Sequence, residues 1–355
     1  MKYFVLIMRG LANFGNTCYL NFILQVLINT EEFTTLFTRY AKRSKDTDHP
    51  LYKISQSLWH LMELYLDPAT SEKSLRTGLK QFIQVFRVCH QEFGYGQQDG
   101  HEYLTFLMRA IHDSMYIPRE MTVSGTASSY ADQLELAAIQ AHRIDGSSTT
   151  ELMLNSNTES SVCYDSVIFQ LFTGQYRFQT QCLNKSCEHV SNRFETFRCC
   201  ELPIGNHDKP NPNLFDLLKE YTSVTQLDEA YECDRCKERS RCYRRCTLWR
   251  LPPILVFSFK RGIHHYSDGQ YHELKDNRVV EFPDTLDLSE FCTVPRNALY
   301  QLYATGNHMG ATHGGHYYAQ IKQSDGWKVA DDDKIIKGRG PMEHVCLLFY
   351  RLAAS

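Results

Sequence analysis

The stretch Gly10-Leu-Ala-Asn-Phe-Gly-Asn-Thr-Cys-Tyr-Leu-Asn21 sets a cysteine where a Gly- and Asn-rich turn enters a helix. From Cys18 onward apolar residues recur at Leu20, Ile23, Leu24 and Leu27, the spacing of one helical face. A thiol at a helix start meets unpaired backbone N–H groups and the positive end of the helix dipole. Residue type and position together therefore predict a nucleophile with a lowered pKa. Gly15 and Asn16 allow the tight turn that presents the sulfur, and they leave backbone donors close to it. Asn13 can turn its amide toward the same point and hold a developing oxyanion. Taken alone, these features also describe a buried structural cysteine behind a helix cap.

The far end of the chain supplies a base. In His308-Met-Gly-Ala-Thr-His-Gly-Gly-His-Tyr-Tyr-Ala-Gln-Ile321, two glycines precede His316, which begins a strand and so gains a rigid mount. A second strand, Gly326-Trp-Lys-Val-Ala-Asp-Asp-Asp333, ends in carboxylates. A hairpin joining the two would set Asp331 beside His316, accepting its Nδ1 proton and fixing the tautomer. Alternation along a strand sends Asp331 and Asp332 to opposite faces, so both are not expected to reach one imidazole; Asp332 is assigned an assisting role. A metal site built from His308, His313 and His316 is a weaker alternative.

Between these ends the pattern is segregated. Helical stripes run through Ile54, Leu58, Leu61, Met62 and Tyr65, through Leu75, Leu79, Phe82, Ile83 and Phe86, and through Tyr103, Phe106, Leu107, Ala110 and Ile111. Residues 118 to 161 are Ser- and Thr-rich and read as a partly mobile insertion, with one weak helix over Leu134 to Ile144. Strands are expected at Val167 to Thr180, Ile254 to Lys260, His316 to Lys322 and His344 to Leu352. Helices first and strands later make an α+β protein.

Composition narrows the function classes. The 355 residues are 43% apolar, enough for a large core, and the formal net charge of −3 is spread without the basic face of a nucleic-acid binder. The densest basic stretch, Lys237 to Arg245, is interrupted by Glu238, Cys242 and Tyr243. No apolar run approaches the roughly 20 residues that span a bilayer. Tyr3 to Met8 is too short for a signal segment and reads as a strand or packing segment. Thirteen cysteines, an odd number with no export signal, point to a reducing, intracellular setting, cytoplasmic or nuclear. Cys182 and Cys187, then Cys233 and Cys236, form two pairs suited to a tetrahedral structural Zn²⁺, although the first pair has four intervening residues. His189, Cys199, Cys200, Cys242 and Cys246 are rival ligands.

The two terminal stretches together resemble the cysteine and histidine boxes of the ubiquitin-specific proteases. The likeness extends to Gln25, to Gln97-Gln-Asp-Gly-His-Glu-Tyr103, to Leu251-Pro-Pro-Ile-Leu-Val256, to Lys260-Arg261 and to Val280-Glu-Phe-Pro283, all in the family's order. The resemblance implies a papain-like protease with a helical thumb at 10–117, an insertion at 118–164, zinc-bearing fingers at 175–250 and a palm from 165–174 and 251–352. It implies catalysis by Cys18, His316 and Asp331 with Asn13 at the oxyanion, and substrate contacts from Asp99, Gln98, Gly315 and Tyr317. Asp99 would meet arginines of the ubiquitin tail, and would equally cap the helix that follows it. The implied reaction is hydrolysis of the isopeptide bond after ubiquitin's C-terminal glycine, with no catalytic cofactor. A protease for a ubiquitin-like modifier and a non-catalytic ubiquitin-binding scaffold are the rivals. Ala330 and Gly262 stand where the family generally has aromatic residues.

Overall fold

The computed structural model describes the chain apart from residues 1–6, 44–48, 122–127, 144–146, 150–160, 206–209, 228–229, 268–269, 294–296, 312–313, 342 and 354–355. The first third is helical: α1 (Cys18–Ile28), α2 (Glu31–Ala41), α3 (Tyr52–Leu66), α4 (Glu72–Cys89) and α5 (Gly100–Met115). Helices α2 to α5 bury one stripe each, whereas every residue of α1 is buried. A helix apolar all round belongs at the centre of a core. The two amides inside it, Asn21 and Gln25, therefore need partners. Gln25 finds them by donating from Nε2 to Arg9 O (2.7 Å) and accepting from the Tyr65 hydroxyl (2.8 Å), which straps the N-terminal segment across α1 to α3.

After α5 come β1 (Ile117–Met121), helix α6 (Tyr130–Arg143), β2 (Ser147–Thr149), β3 (Ser161–Asp165) and a short helix, Val167–Phe172. Then follow β4 (Gly174–Cys182), β5 (Val190–Phe197), β6 (Cys200–Pro203), the helix Leu214–Tyr221, β7 (Val224–Gln226), β8 (Tyr231–Glu232), β9 (Arg239–Ser240) and β10 (Cys242–Arg250). The chain ends with β11 (Ile254–Lys260), β12 (Gly262–Ser267), β13 (Gln270–Lys275), β14 (Thr285–Asp287), β15 (Leu299–Ala311), β16 (Gly314–Gln323), β17 (Gly326–Asp331), β18 (Lys334–Lys337) and β19 (Val345–Leu352).

The larger sheet runs β18-β17-β16-β15-β19-β11-β6, with β14 also paired to β15. Its central strands, β11 and β19, are apolar on both faces because both are covered. Val256, Ala304, Leu347 and Phe349 join the helical core around α1, while Leu255, Phe257, Leu348 and Tyr350 enter a second core behind the sheet. Helix α1 thus lies directly against β15, β16 and β17, which fixes the cysteine relative to the histidine strand. The smaller sheet runs β2-β5-β4-β10-β7. Helix α6 covers it with Leu134, Ala137, Ala138 and Ala141 against Phe194 and Trp249. No helix among the described residues is long and apolar enough to cross a membrane.

Several local expectations need correction. Val167 to Thr180 is not one strand: the Ser166 hydroxyl accepts from Phe169 N–H (3.1 Å) and caps a helix that ends before Gly174 opens β4. The weak helix at 134–144 is instead the 14-residue α6, beginning at Tyr130. Within the presumed insertion, β1 and β3 pair with each other and β2 joins β5 of the smaller sheet. The partly mobile stretch expected here includes residues 122–127, 144–146 and 150–160, which lie outside the described residues, as does most of the Tyr3–Met8 segment.

Candidate active site

The cysteine turn is built on the acid turn. Leu11 N–H donates to Asp332 O (2.7 Å), and Gly10 lies so close to the backbone of Asp333 that a Cβ would overlap it. Asn13 then folds the loop around its own side chain. Its Oδ1 accepts from Gly15 N–H (2.9 Å) and, at 3.3 Å, from both the N–H and the hydroxyl of Thr17. Gly15 and Asn16 take left-handed backbone (φ +85° and +54°), which glycine and asparagine accept with least strain. Cys18 follows as the first residue of α1, 5% exposed.

The lowered thiol pKa expected at a helix start is not found. Burial pushes the Cys18 thiol up and the Asp332 carboxylate adds to the rise. The backbone N–H groups of Tyr317, Tyr19 and Cys18 offset only part of it. A thiol in this state needs a base to take its proton as it attacks.

On β16, His316 is placed with its Nε2 2.6 Å from Asp331 Oδ1 at the end of β17. The nitrogen facing the carboxylate is Nε2, not the Nδ1 expected from the sequence. Asp331 therefore holds the proton on Nε2 and leaves Nδ1 as the basic nitrogen. Tyr317, the next residue along β16, brings its backbone N–H to the Cys18 sulfur, so α1 and β16 meet at that sulfur.

Asp332 does not face away from the site as strict alternation predicts. β17 ends at Asp331, and Asp332-Asp333 form the two-residue turn to β18, with Asp332 left-handed (φ +49°). In that turn its carboxylate accepts from Asn13 Nδ2 (2.8 Å) and Asn21 Nδ2 (2.7 Å), and it clusters with His316 and Asp331. Asn13 is thereby clamped at both ends of its amide.

Around this centre, Gln97 and Gly315 exchange two hydrogen bonds: Gln97 Nε2 donates to Gly315 O (3.1 Å), and Gly315 N–H donates to Gln97 Oε1 (2.8 Å). The neighbouring Gln97, rather than Gln98, thus ties α5's leading segment to the histidine strand. Gly315 has no room for a Cβ, which would meet the His308 ring and Met309 O. Asp99 caps α5 through Oδ1 with the N–H groups of His101 (2.8 Å) and Glu102 (2.9 Å). The Tyr317 ring stacks between Phe22 (5.0 Å) and His308 (4.3 Å), and its hydroxyl accepts from Gly100 N–H (3.3 Å). Lys275 Nζ binds His308 Nδ1 (2.9 Å) and the carbonyls of His308 (2.8 Å) and Gly310 (3.1 Å). Burial and that lysine push His308 down to about 4, so it serves as a neutral acceptor. His308 stands outside the metal-holding groups found among the described residues, and His313 lies outside the described set. Gln97, Asn21 and Lys275 were missed from the sequence; the run Gln97-Gln-Asp is the one signal that pointed near the first.

A family model described as ubiquitin carboxyl-terminal hydrolase matches residues 9–350. The chain belongs to the ubiquitin carboxyl-terminal hydrolase family. Ubiquitin carboxyl-terminal hydrolase 2 of Bos taurus is 30% identical over 369 residues, covering 98% of this chain and 55% of that protein. The Gallus gallus protein of the same name is 31% identical over 381 residues, covering 98% and 94%. The chain thus spans little more than half the length of the cattle relative and nearly all of the chicken one. Among solved structures, the SAGA DUB module of Ubp8, Sgf11, Sus1 and Sgf73 bound to monoubiquitin is similar with a TM-score of 0.73 at 22% identity, over 98% of this chain and 69% of that one. The same module bound to ubiquitin aldehyde gives the same TM-score of 0.73. The fold is the α+β ubiquitin-specific protease fold that the motifs imply.

The four cysteines meet at the far end of the smaller sheet. Cys182 ends β4, Cys187 lies in the loop to β5, and Cys233 and Cys236 lie between β8 and β9. Each knuckle closes with a left-handed residue after its second cysteine, Glu188 (φ +46°) and Lys237 (φ +58°). Asn184 Nδ2 donates across to Glu238 Oε2 (2.5 Å), joining the knuckles. All four sulfurs lie within 4.8 Å of one another. Tetrahedral zinc bonded to sulfur at about 2.3 Å separates its sulfurs by about 3.8 Å, and Cys187 and Cys233 are 3.8 Å apart. The set fits Zn²⁺ despite the longer first spacing. Of the rivals, Cys200 and Cys246 belong to the second core, and Cys242 sits buried across from Cys182.

Proposed function

We propose that the chain is a deubiquitinating thiol protease that hydrolyses the isopeptide bond after the C-terminal glycine of ubiquitin. The observation that carries this reading is that Cys18, at the start of α1, meets the backbone N–H of Tyr317 on β16, the strand on which the neighbouring His316 pairs with Asp331 through Nε2 at 2.6 Å. Cys18 attacks the glycine carbonyl while His316 Nδ1 removes the thiol proton. Asp331 stabilises the imidazolium that forms. The oxyanion is met by Asn13 Nδ2 and the backbone N–H of Cys18. His316 protonates the departing lysine amine, and water activated by the same nitrogen then cleaves the thioester and releases ubiquitin. The bound zinc would brace the smaller sheet and take no part in these steps.

A groove of about 610 Å³ between α5 and the root of the smaller sheet, lined by His101, Met108, Phe197, Glu201 and Lys260 among others, suits an extended peptide tail approaching this centre. Asp99 retains Oδ2 for a cationic side chain of that tail, and we assign Tyr317, Gln98 and Gly315 to the substrate-binding wall beside it. We assign residues 10–117 to the thumb, 118–164 to an insertion, 175–250 to the fingers, and 165–174 with 251–352 to the palm. We place its site of action inside the cell, cytoplasmic or nuclear, from the odd number of cysteines in the sequence. The test is turnover of matched C-terminal amide reporters of ubiquitin and of ubiquitin-like modifiers. Selective cleavage of the ubiquitin reporter is expected. Selective cleavage of another modifier's reporter would transfer the reading to that modifier, and binding without cleavage of any would make the chain a scaffold.

A further inference from the structure

We propose that Asn21 is a positioning residue for the oxyanion pocket: through Asp332 it fixes the Asn13 amide beside Cys18. The inference rests on the protease reading above, since an oxyanion forms only if Cys18 attacks a carbonyl.

Asn21 lies three residues after Cys18 on the same helix and is 1% exposed. Its Nδ2 stands 2.7 Å from Asp332 Oδ1, 3.2 Å from Leu11 O and 3.3 Å from Ala12 O. Two hydrogens thus serve three acceptors, and the shortest contact goes to the charged one, as expected of a charge-assisted bond. The reverse orientation of the amide would set its oxygen against three oxygens, so the network assigns it. Its own Oδ1 has no partner among the described residues, a cost that only the bonds on the other side offset. An apolar residue would fill a fully buried helix position more simply. The amide is therefore explained by what it holds.

What it holds is the Asp332 carboxylate. Asp332 sits in a two-residue turn in left-handed backbone, so strand pairing does not aim its carboxylate. Asn21 grips one oxygen and Asn13 the other, at 2.7 and 2.8 Å. Asn13's Oδ1 is meanwhile fixed by Gly15 and Thr17. The second hydrogen of Asn13 Nδ2 is then held in a fixed direction for a substrate oxygen. The order of dependence runs from Asn21 in the core, to Asp332 in the turn, to Asn13 at the reacting carbonyl.

The test compares Asn21→Ala and Asn21→Ser with Asn13→Ala at equal folded concentration, using a ubiquitin C-terminal amide reporter and, separately, alkylation of Cys18 by iodoacetamide. Alkylation displaces iodide from carbon and forms no oxyanion, so it reports the thiol alone. The expected result is a kcat lowered about 10²-fold with little change in KM, while alkylation is not slowed. The Asn13→Ala/Asn21→Ala double variant should be no more than about twofold slower than Asn13→Ala, because both changes remove one function. An unchanged kcat in Asn21→Ala, or multiplying losses in the double variant, would overturn the proposal. So would parallel losses of kcat and alkylation, which mark simple support of the nucleophile. Should the Asn21 variants not fold, Asp332→Asn keeps the left-handed turn and can satisfy only one of the two amides. The same loss of kcat with undiminished alkylation is expected there, and an unchanged kcat overturns the proposal. A wild-type protein inert toward the reporter would instead refute the protease reading itself.

Discussion

Two loops in this molecule present cysteines, and they differ in everything but the atom. The turn before α1 presents one sulfur, packed against the histidine strand and surrounded by side chains that orient or charge its neighbours. The knuckles at the far end of the smaller sheet present four sulfurs to one another, with Glu188 and Lys237 folding each loop back by left-handed backbone. Burial pushes the Cys18 thiol up. It acts on the Cys233 thiol in the same sense, yet hydrogen bonds from the backbone N–H groups of Cys236 and Arg235, with those of the Cys187 and Cys236 thiols, outweigh it and hold that thiol down. What sets the two loops apart is the neighbour: the strand that packs against Cys18 carries His316, held by Asp331 at 2.6 Å.

Breaking the first loop should cost the most. Cys18→Ala should lower turnover of a ubiquitin C-terminal reporter by at least about 10⁴-fold while leaving ubiquitin binding intact, measured by calorimetry beside the rate assay. Next should come Asp331→Asn, which frees His316 to take the wrong tautomer and should cost about 10³ to 10⁴ in kcat. Asp333→Asn should stay near wild type, since its backbone rather than its carboxylate meets Gly10. Full activity in Asp331→Asn would mean that Asp331 does not orient His316.

Breaking the second loop should be milder and of another kind. Cys233→Ser should remove about one zinc per chain and lower the melting temperature by roughly 5 °C or more, read by elemental analysis and calorimetry. KM for a ubiquitin reporter should rise, while turnover of a short C-terminal peptide reporter stays close to wild type. Equal damage to both reporters would mean the two loops are not independent. The smallest effect is in pH. Because the free-enzyme Cys18 thiol is raised above its usual 9.0, thiolate is still accumulating at pH 9 and alkylation by iodoacetamide should keep accelerating beyond it. A plateau below neutral pH would indicate a preformed ion pair.

What the sequence made legible were residues with a local signature. Cys18 stands at a helix start, His316 follows two glycines into a strand, and Asp331 ends the strand that pairs with it. Less visible was anything set by a turn or by contact across the chain. Asp332 reads as a strand residue until the turn it occupies is known, and then its left-handed backbone swings it into the site. Asn21 looks like a polar exception on an apolar helix, because its partner is 311 residues away. The Nε2 contact of His316 depends on a ring rotation that no spacing encodes. The helix at Val167 was hidden because a short apolar run fits either period, and only the Ser166 cap separates the two.

The most direct test of the account is the identity of the reacting sulfur. The protein should be treated with ubiquitin carrying a C-terminal propargylamide and the adduct mapped by peptide mass spectrometry. The account predicts one ubiquitin per chain, attached at Cys18, with Cys182, Cys187, Cys233 and Cys236 unmodified. An adduct on any other cysteine, with Cys18 free, would contradict it.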